Sequence, residues 1–504
     1  MKHEVIIKKE WQKLSRKSDF AFIRPLLALH PEAEVFIVGG AVRDILLEKL
    51  NGTDFDFVVR NVPKTTLSRF LKNYGKVNFV GKKFGVFKLS PLRQALPHEI
   101  DIALPRTEIP IKRSGAYKDF KIESDPKLSI EADLSRRDFT INAIAWNIIT
   151  GQLIDPFDGL TDLKKKKIDT VGIPLRRLSE DYSRLLRAIR LSCQLGFDIN
   201  PRTWKQIKKL APQIQKSLKK EWVVPREVVA KEILKAFTYE PSFALNLFYR
   251  SGLLKQLMPE LLTMRGCPQP KNFHTEGDVW KHTELALKRL SSSQYKKFFP
   301  SNTPSTLVVI ATLLHDVGKP ATLQTPKKHK VDRIRFNGHD AKGAAISKSI
   351  ATRLKFSSVK DFGVDADELA WLIKKHLLLV HGPVSQLKNS TLEKYFFNKD
   401  VPGNELLQLF FTDGSATIPK GGKVNLNHLK KLFKRLEKLA VIINKRPRSS
   451  LLTGRDIIKE FKLKEGPIIG ELLTSLREAE LSGKVSNKKQ AFAHIKKVIK
   501  HAKN

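Results

Sequence analysis

Across residues 35–60, VFIVGGAVRDILLEKLNGTDFDFVVR, the chain places Asp54 and Asp56 two apart in a run of strand-forming residues. Alternate residues of a strand face the same side. The two carboxylates would then address one cleft while Phe55, Phe57 and Val59 turn into the core. Paired carboxylates on one rigid strand are the donors that two Mg²⁺ ions need to align a nucleoside triphosphate against an attacking hydroxyl. An apolar run ending in Gly39-Gly40 precedes them, followed by a short predicted helix with Arg43 and Asp44. A Gly-Gly after a strand is by itself only a turn. A D-x-D by itself can be a solvated face, although Asp is depleted in strands. The ordered combination is specific where its parts are not.

Three further segments add polar groups. In HEIDIALPR (98–106) Asp101 alternates with Ile100 and Ile102, so a neighbouring strand can aim a third carboxylate at the same cleft. Three clustered carboxylates repel one another unless cations lie between them. In RRDFTINAIAWN (136–147), Arg136, Arg137 and Asp138 precede what reads as an apolar helix. Guanidinium groups suit phosphate and sugar oxygens. In EDYSRLLRAIRLSCQLGF (180–197), helical spacing sets Asp181, Arg184 and Arg187 on adjacent turns of one face, extended by Arg190. A salt-bridged solvated face is the plain alternative. The Arg-Leu-Leu-Arg-Ala-Ile-Arg regularity instead lines up planar donor forks, which with Asp181 could read the Watson–Crick edge of a base.

The elements that must hold these residues follow from periodicity. Residues 1–33 read as a helical lead-in. From 34 to 150, short β runs (VFIVGG, DFDFVV, GVFKLS, EIDIAL) alternate with helical stretches, an α/β or α+β unit. Beyond DPFDG (155–159) helical periodicity takes over. Breaks at MRGCPQPKN (264–272) and SATIPKGGKVN (415–425) divide the rest. The expected parts are the lead-in 1–33, a head 34–150, a helical neck 151–265, a block 266–420 and a basic helical tail 421–504.

Lys and Arg number 92 against 51 acidic residues, a formal net charge of +41. That excess points to a polyanionic partner, foremost nucleic acid, and its lysine-dominated runs suit backbone phosphates more than base edges. Two cysteines, Cys193 and Cys267, exclude a disulfide framework and a Cys-rich zinc site. No apolar run is long enough to span a bilayer. The first residues lack the apolar stretch of a secretory signal, so the expected setting is cytoplasmic, with no membrane partner.

Taken in order, GGAVRD (39–44), the D-x-D (54–56), RRDFTINA (136–143), DPFDG (155–159) and EDxxRLLRA (180–188) resemble the motifs of class II tRNA nucleotidyltransferases, the CCA-adding enzymes, and of the related bacterial poly(A) polymerases. The stretch 453–485 resembles the tail of their HD-containing members. The resemblance implies a multidomain α+β chain: a polymerase-β-like nucleotidyltransferase head with a mixed sheet, then all-α neck, HD and tail regions. It implies that Asp54 and Asp56 hold Mg²⁺ with Asp101 as a third catalytic carboxylate. Gly39, Gly40, Arg43 and Asp44 would lie at the triphosphate, and Arg137 and Asp138 at the nucleotide. Asp181 and Arg184 would select the base beside Arg187 and Arg190. Partners would be tRNA, CTP and ATP. VGKKFGVFKLS (80–90) reads as the CCA type, and 61–85 would include a mobile loop. Poly(A) synthesis, CC-only or A-only addition, and an RNA-end metal phosphohydrolase remain alternatives.

Histidines and aspartates recur through HTEGDVWKHT, LLHDVGKP, FNGHDAKG, KKHLLLVHG and FFTDGS, between 274 and 413. A polar pair such as His315-Asp316 buried in an apolar helix needs a reason. The series resembles the HD phosphohydrolase superfamily. That resemblance implies metal ligation by His282, His315, Asp316 and Asp413, with His339 and His376 completing a two-metal variant. Such donors suit Mn²⁺, Fe²⁺, Ni²⁺ or Zn²⁺. Lys319 could meet a phosphate. His98, His274 and His381 read as ordinary histidines.

Overall fold

The computed structural model describes residues 2–49, 54–80, 86–92, 99–112, 114–116, 119–218, 220–379, 383–444 and 450–502. The chain divides into two compact units, Met1–Leu257 and Met258–Asn504.

In the first unit nine strands form the frame: β1 (Glu34–Val38), β2 (Asp56–Arg60), β3 (Gly75–Val80), β4 (Val86–Pro91), β5 (Ile100–Ala103), β6 (Arg106–Pro110), β7 (Phe120–Ser124), β8 (Ala145–Asn147) and β9 (Leu153–Ile154). Seven make one mixed sheet in the order β3-β4-β5-β2-β1-β8-β9, and β6 and β7 pair separately. The β2–β5 pair is parallel and sets Asp56 opposite Asp101. The β1–β2 pair is antiparallel and sets Val38, the residue before Gly39, opposite Asp56.

Both faces of β2 are covered. Phe57 and Val59 are buried on one side, where Trp11, Phe20 and Phe22 of the helical lead-in pack edge-on against Phe57. Val58 is buried on the other, with Phe36, Val38, Ile130 and Leu134. Asp56 shares the face of Val58 at the strand's open end, so sheet and lead-in together fix the carboxylate's backbone.

Two expectations change here. Asp54 and Phe55 precede β2 rather than lying within it. The apolar helix expected after Arg136-Arg137-Asp138 is a short 3₁₀ turn (Thr140–Asn142) and then β8. The β1 edge decides this, because Phe36, Ile37 and Val38 pair with Asn147, Trp146 and Ala145. Within 61–85, the segment expected to include a mobile loop, the structure places helix Lys64–Leu71 and β3, while 81–85 lie outside the described residues. So do His98 and His381.

Helices complete the unit. Ser183–Leu195 packs against Arg226–Tyr239, burying Leu185, Leu186, Ala188 and Ile189 at helical spacing. Between them the chain turns through a short hairpin of Ser217–Leu218 with Glu221–Trp222.

The second unit is helical. Thr306–Leu314 (TLVVIATLL) is buried apart from a half-buried Leu307 and packs against Val279–Arg289, Ala366–Lys375 and Gly403–Ala416. An apolar helix of this kind belongs at the centre of a bundle. Toward the C-terminus, Leu452, Ile457, Leu472, Leu476 and Ile495 build a separate small core from Gly454–Phe461, Pro467–Leu481 and Lys488–Ala502.

Candidate active site and metal centre

A cavity of about 610 Å³ in the first unit is lined by Asp56, Lys88, Asp101, Arg137, Asp138, Asp181, Arg184 and Arg187, among others. Two of its carboxylates, Asp56 and Asp101, come from the starts of β2 and β5. Burial, then the charges of Asp101 and Asp54, raise the Asp56 carboxyl to about 6, against the pull of Arg137 and Lys88. Such mutual repulsion is relieved by a divalent cation, so the donor set fits one. Lys88 was not foreseen; its Nζ lies 3.0 Å from Asp101 Oδ1, from the register position opposite on β4. Its signal was present, since in GVFKLS it alternates with buried Phe87 and Leu89.

Gly39 has a conformational reason to be glycine. Its φ is +72°, and an added Cβ would sit 2.6 Å from Arg137 Nη1 and 3.7 Å from Asp56 Oδ2. Gly40 then opens helix Gly40–Leu46. Arg43 on this helix is buried, donating to Asp44 Oδ1 and Asn142 Oδ1 at 2.8 and 2.6 Å. Burial pushes the Asp44 carboxyl up despite that partner. Neither Arg43 nor Asp44 lines the cavity.

Asp181 departs from expectation. It ends helix Pro174–Glu180 in extended backbone (φ −152°, ψ 106°), and its Oδ1 accepts from the Ser183 N–H at 2.8 Å. The next helix starts at Ser183. Arg184 therefore pairs with Glu180, at 2.9 Å, not with Asp181. Arg187 donates to Asp138 Oδ2 at 2.8 Å. Burial alone would raise the Asp138 carboxyl, but Arg187 and the Phe139 N–H outweigh it and hold it far below the carboxylate range. Arg190 turns to Glu232 and Gln194, both at 2.7 Å, and is not part of the cavity wall. The cavity thus gathers Asp56, Asp101, Arg137, Asp138, Asp181, Arg184 and Arg187. Gly39 abuts it, and Asp54 is exposed at the strand entrance.

The second unit brings all six expected HD residues together. His282 Nε2 lies 3.1 Å from Asp413 Oδ1 and 3.3 Å from His315 Nε2. His315 Nε2 is 3.3 Å from Asp316 Oδ2, and His339 and His376 Nε2 are 3.6 and 3.9 Å from Asp316 Oδ1. Asp316 stands between two donor groups, His282-His315-Asp413 and His339-His376. His315 and Asp316 lie just beyond the end of the apolar helix, not within it, which lets both side chains turn to one point.

Each imidazole is held through its other nitrogen. Nδ1 of His282 meets Glu276 Oε1 at 2.8 Å. The Nδ1 atoms of His315, His339 and His376 meet the carbonyls of Thr312, Phe336 and Ile373 at 2.8, 2.8 and 2.5 Å. This is how ligating histidines have tautomer and ring orientation fixed. Nε2 of His339 and of His376 are buried with no hydrogen-bond partner among the described residues. Buried polar atoms without a partner are costly, and these point at a common carboxylate, so the donor set fits a metal. Lys319 Nζ is 2.7 Å from Asp316 Oδ2 and donates to Gln269. Gly318 permits the close packing: a Cβ there would meet the His339 carbonyl oxygen at 2.2 Å. Glu276 was not foreseen. It lies within HTEGDVWKHT but on a loop, where no periodicity marks it.

Comparison with known proteins gives the lineage. The chain matches the poly(A) polymerase head domain over residues 35–169 and the RNA and SrmB-binding site of polymerase A over 196–264. It matches the HD domain over 279–405 and tRNA nucleotidyltransferase domain 2 over 422–495. It is 31% identical over 460 residues to a multifunctional CCA protein of Xanthomonas axonopodis pv. citri, covering 89% of this chain and 98% of that one. A multifunctional CCA protein of Stenotrophomonas maltophilia is 33% identical over 364 residues, covering 71% and 79%. In fold the chain is similar to the Bacillus stearothermophilus CCA-adding enzyme in complex with CTP (TM-score 0.63, 21% identity, 96% and 99% covered). It is also similar to the Thermotoga maritima CCA-adding enzyme complexed with tRNA (TM-score 0.54, 20% identity, 94% and 93% covered). A cleft of facing carboxylates, a buried His/Asp cluster and full-length similarity at this level agree, and the chain belongs to the tRNA nucleotidyltransferase family of multifunctional CCA proteins.

Proposed function

We propose that this chain adds C, C and A to the 3′ ends of tRNA, using CTP and ATP. The observation that carries the reading is the register of Asp56 opposite Asp101 in a cavity walled by Arg137, Asp138, Arg184 and Arg187. Asp54 and Asp56 would hold Mg²⁺. Bound there, the cations would neutralise triphosphate charge and lower the pKa of the attacking hydroxyl. The RNA 3′-oxygen forms its bond to the α-phosphorus as the bond to the β-phosphate bridging oxygen breaks. Pyrophosphate leaves with that electron pair, and Asp101 is assigned to the hydroxyl proton. Gly39 leaves room for the phosphates to approach the backbone; Gly40, Arg43 and Asp44 follow on the next helix, where Arg43 and Asp44 lie outside the cavity lining and would reach the triphosphate only by leaving their present partners. Arg137 binds nucleotide oxygens. Asp181 and Arg184 meet the base edge, while Asp138 orients Arg187 and Arg190 supports the wall. Most of the rate enhancement then comes from positioning and charge neutralisation.

The HD cluster supports a second activity, hydrolysis of 2′,3′-cyclic phosphates or 2′-phosphates at RNA ends. His282, His315, Asp316 and Asp413, with His339 and His376, would hold one or two Mn²⁺, Fe²⁺, Ni²⁺ or Zn²⁺ ions, and such ions supply a nucleophilic hydroxide at neutral pH. Lys319 stands ready to meet the phosphate. The five-part division given above is kept, and so is a cytoplasmic setting, which two buried free cysteines fit.

The test is a transcript ending before CCA, supplied with each labelled nucleotide singly and together. The expected product is complete CCA with wild type and none with Asp54→Ala, tRNA binding being kept. Untemplated adenylate runs on unrelated RNA would identify a poly(A) polymerase instead. Incorporation of C alone or A alone would identify a divided activity. Phosphate release without any incorporation would identify a phosphohydrolase.

A further inference from the structure

We infer that Trp222 is a stacking platform for a nucleobase of the RNA end, an inference that rests on the proposed transfer to RNA. Trp222 closes the hairpin opposite Ser217 and is 42% exposed. The ring is nonetheless held. The guanidinium carbon of Arg226 sits 3.6 Å from the ring centroid, and Arg226 is itself buried and donates to Gln215. A cation over an aromatic face fixes and polarises the ring. One face is thereby covered by the protein, and the exposed remainder is available to a flat ligand.

The position on the chain gives this surface its purpose. Val223, Val224 and Pro225, the next three residues, line the cavity that contains Asp56 and Asp101. A 3′-hydroxyl that enters this cavity belongs to a nucleotide whose neighbours must lie near its rim. Lys216 and Lys220 belong to the same hairpin: the Lys216 carbonyl accepts from the N–H of Val223, next to Trp222, and Lys220 lies exposed at the turn. An indole beside lysines is the combination that binds single strands: the cations track phosphates and the ring stacks a base of any identity. A protein partner would need an apolar patch. Here Trp222 follows exposed Lys220 and Glu221 and precedes buried Val223, and Leu218 pairs with Glu221 on the hairpin's other face.

The experiment uses the full chain and a tRNA transcript ending before CCA, with 2-aminopurine as the base next to its last. Wild type should quench the fluorescence on binding, in the absence of any nucleotide. Trp222→Ala should lose the quench and bind the transcript roughly tenfold more weakly, while Trp222→Phe restores most of both. Trp222→Leu, which keeps apolar bulk without a π-face, should behave as alanine does and guards against misfolding of the smaller variant. At saturating transcript the KM for CTP should not move. Equal quench and affinity in wild type, Trp222→Ala and Trp222→Leu would overturn the platform. Failure of wild type to incorporate nucleotides would overturn the transferase reading separately, since the quench needs no turnover.

Discussion

The two candidate metal sites are built on opposite plans. In the head, carboxylates sit at the ends of β2 and β5, open to a cavity and shared with the cations Lys88 and Arg137. In the HD cluster four imidazoles are buried, each braced through Nδ1, with Asp316 between them. Hard, labile oxygen donors that leave coordination positions to the substrate suit Mg²⁺, which arrives with the triphosphate. Braced imidazoles suit a transition metal that stays with the protein between turnovers. On the proposed reading one chain would carry phosphorus chemistry at two sites that differ in donor type, burial and preorganisation.

If the sites are chemically independent, each can be removed alone. Asp56→Ala should lower nucleotide incorporation by about a thousandfold or more and leave phosphate release from 2′,3′-cyclic ends intact. Asp316→Ala should do the reverse and strip the retained transition metal, measured by elemental analysis. Loss of both activities in either variant would break the comparison.

A finer test addresses bracing. Glu276 Oε1 is shared by His274 and His282 at 2.7 and 2.8 Å, and its other oxygen accepts from the Ile418 N–H at 3.0 Å. It ties His282 to the segment just after the Asp413 helix. Glu276→Gln should weaken metal retention about 10- to 100-fold, as loss of an outer partner does, with nucleotide incorporation unchanged. Unaltered affinity in competition with a chelator would show that bracing at His282 contributes nothing.

These differences were unequally legible in the sequence. Alternation told which face Asp56 and Asp101 share, because period two is local and a buried neighbour such as Phe57 or Ile102 enforces it. Strand pairing was not local. Nothing in RRDFTINAIAWN distinguishes a helix from a strand over so short an apolar run, and the β1 edge settled the matter. At Asp181 the helical spacing ran true in sequence, yet the chain breaks there because its carboxylate accepts the Ser183 N–H. Asp is a strong residue for starting a helix, a signal that competed with the period and won. The HD residues were legible through the resemblance of their spacing to the HD superfamily. Their bracing partners are mostly backbone carbonyls, which no sequence pattern records.

The smallest expected difference is in the response to pH, and it separates the plans most directly. In the head, burial and neighbouring carboxylates raise Asp56 to about 6. Above that value the group is ionised and a cation displaces no proton from it. Below it, each bound cation must expel one, so apparent Mg²⁺ affinity should fall about tenfold per pH unit only on the acid side of 6. At the HD cluster the order is inverted. Burial would lower His282, but hydrogen bonds to Asp413 and Glu276 outweigh it and raise it to about 9, while burial and His315 push His376 down to about 4. His282 must therefore surrender a proton to any metal bound at neutral pH, and His376 need not. Between pH 6.5 and 8.5, metal affinity at the HD cluster should climb by about tenfold per unit while the Mg²⁺ requirement for incorporation stays level. Metal titrations of Asp56→Ala, which isolate the HD cluster, against incorporation assays of Asp316→Ala, which isolate the head, measure the two slopes apart. Parallel slopes across that window would mean that braced imidazole and open carboxylate impose no different proton cost, and the contrast between the two sites would lose its physical basis.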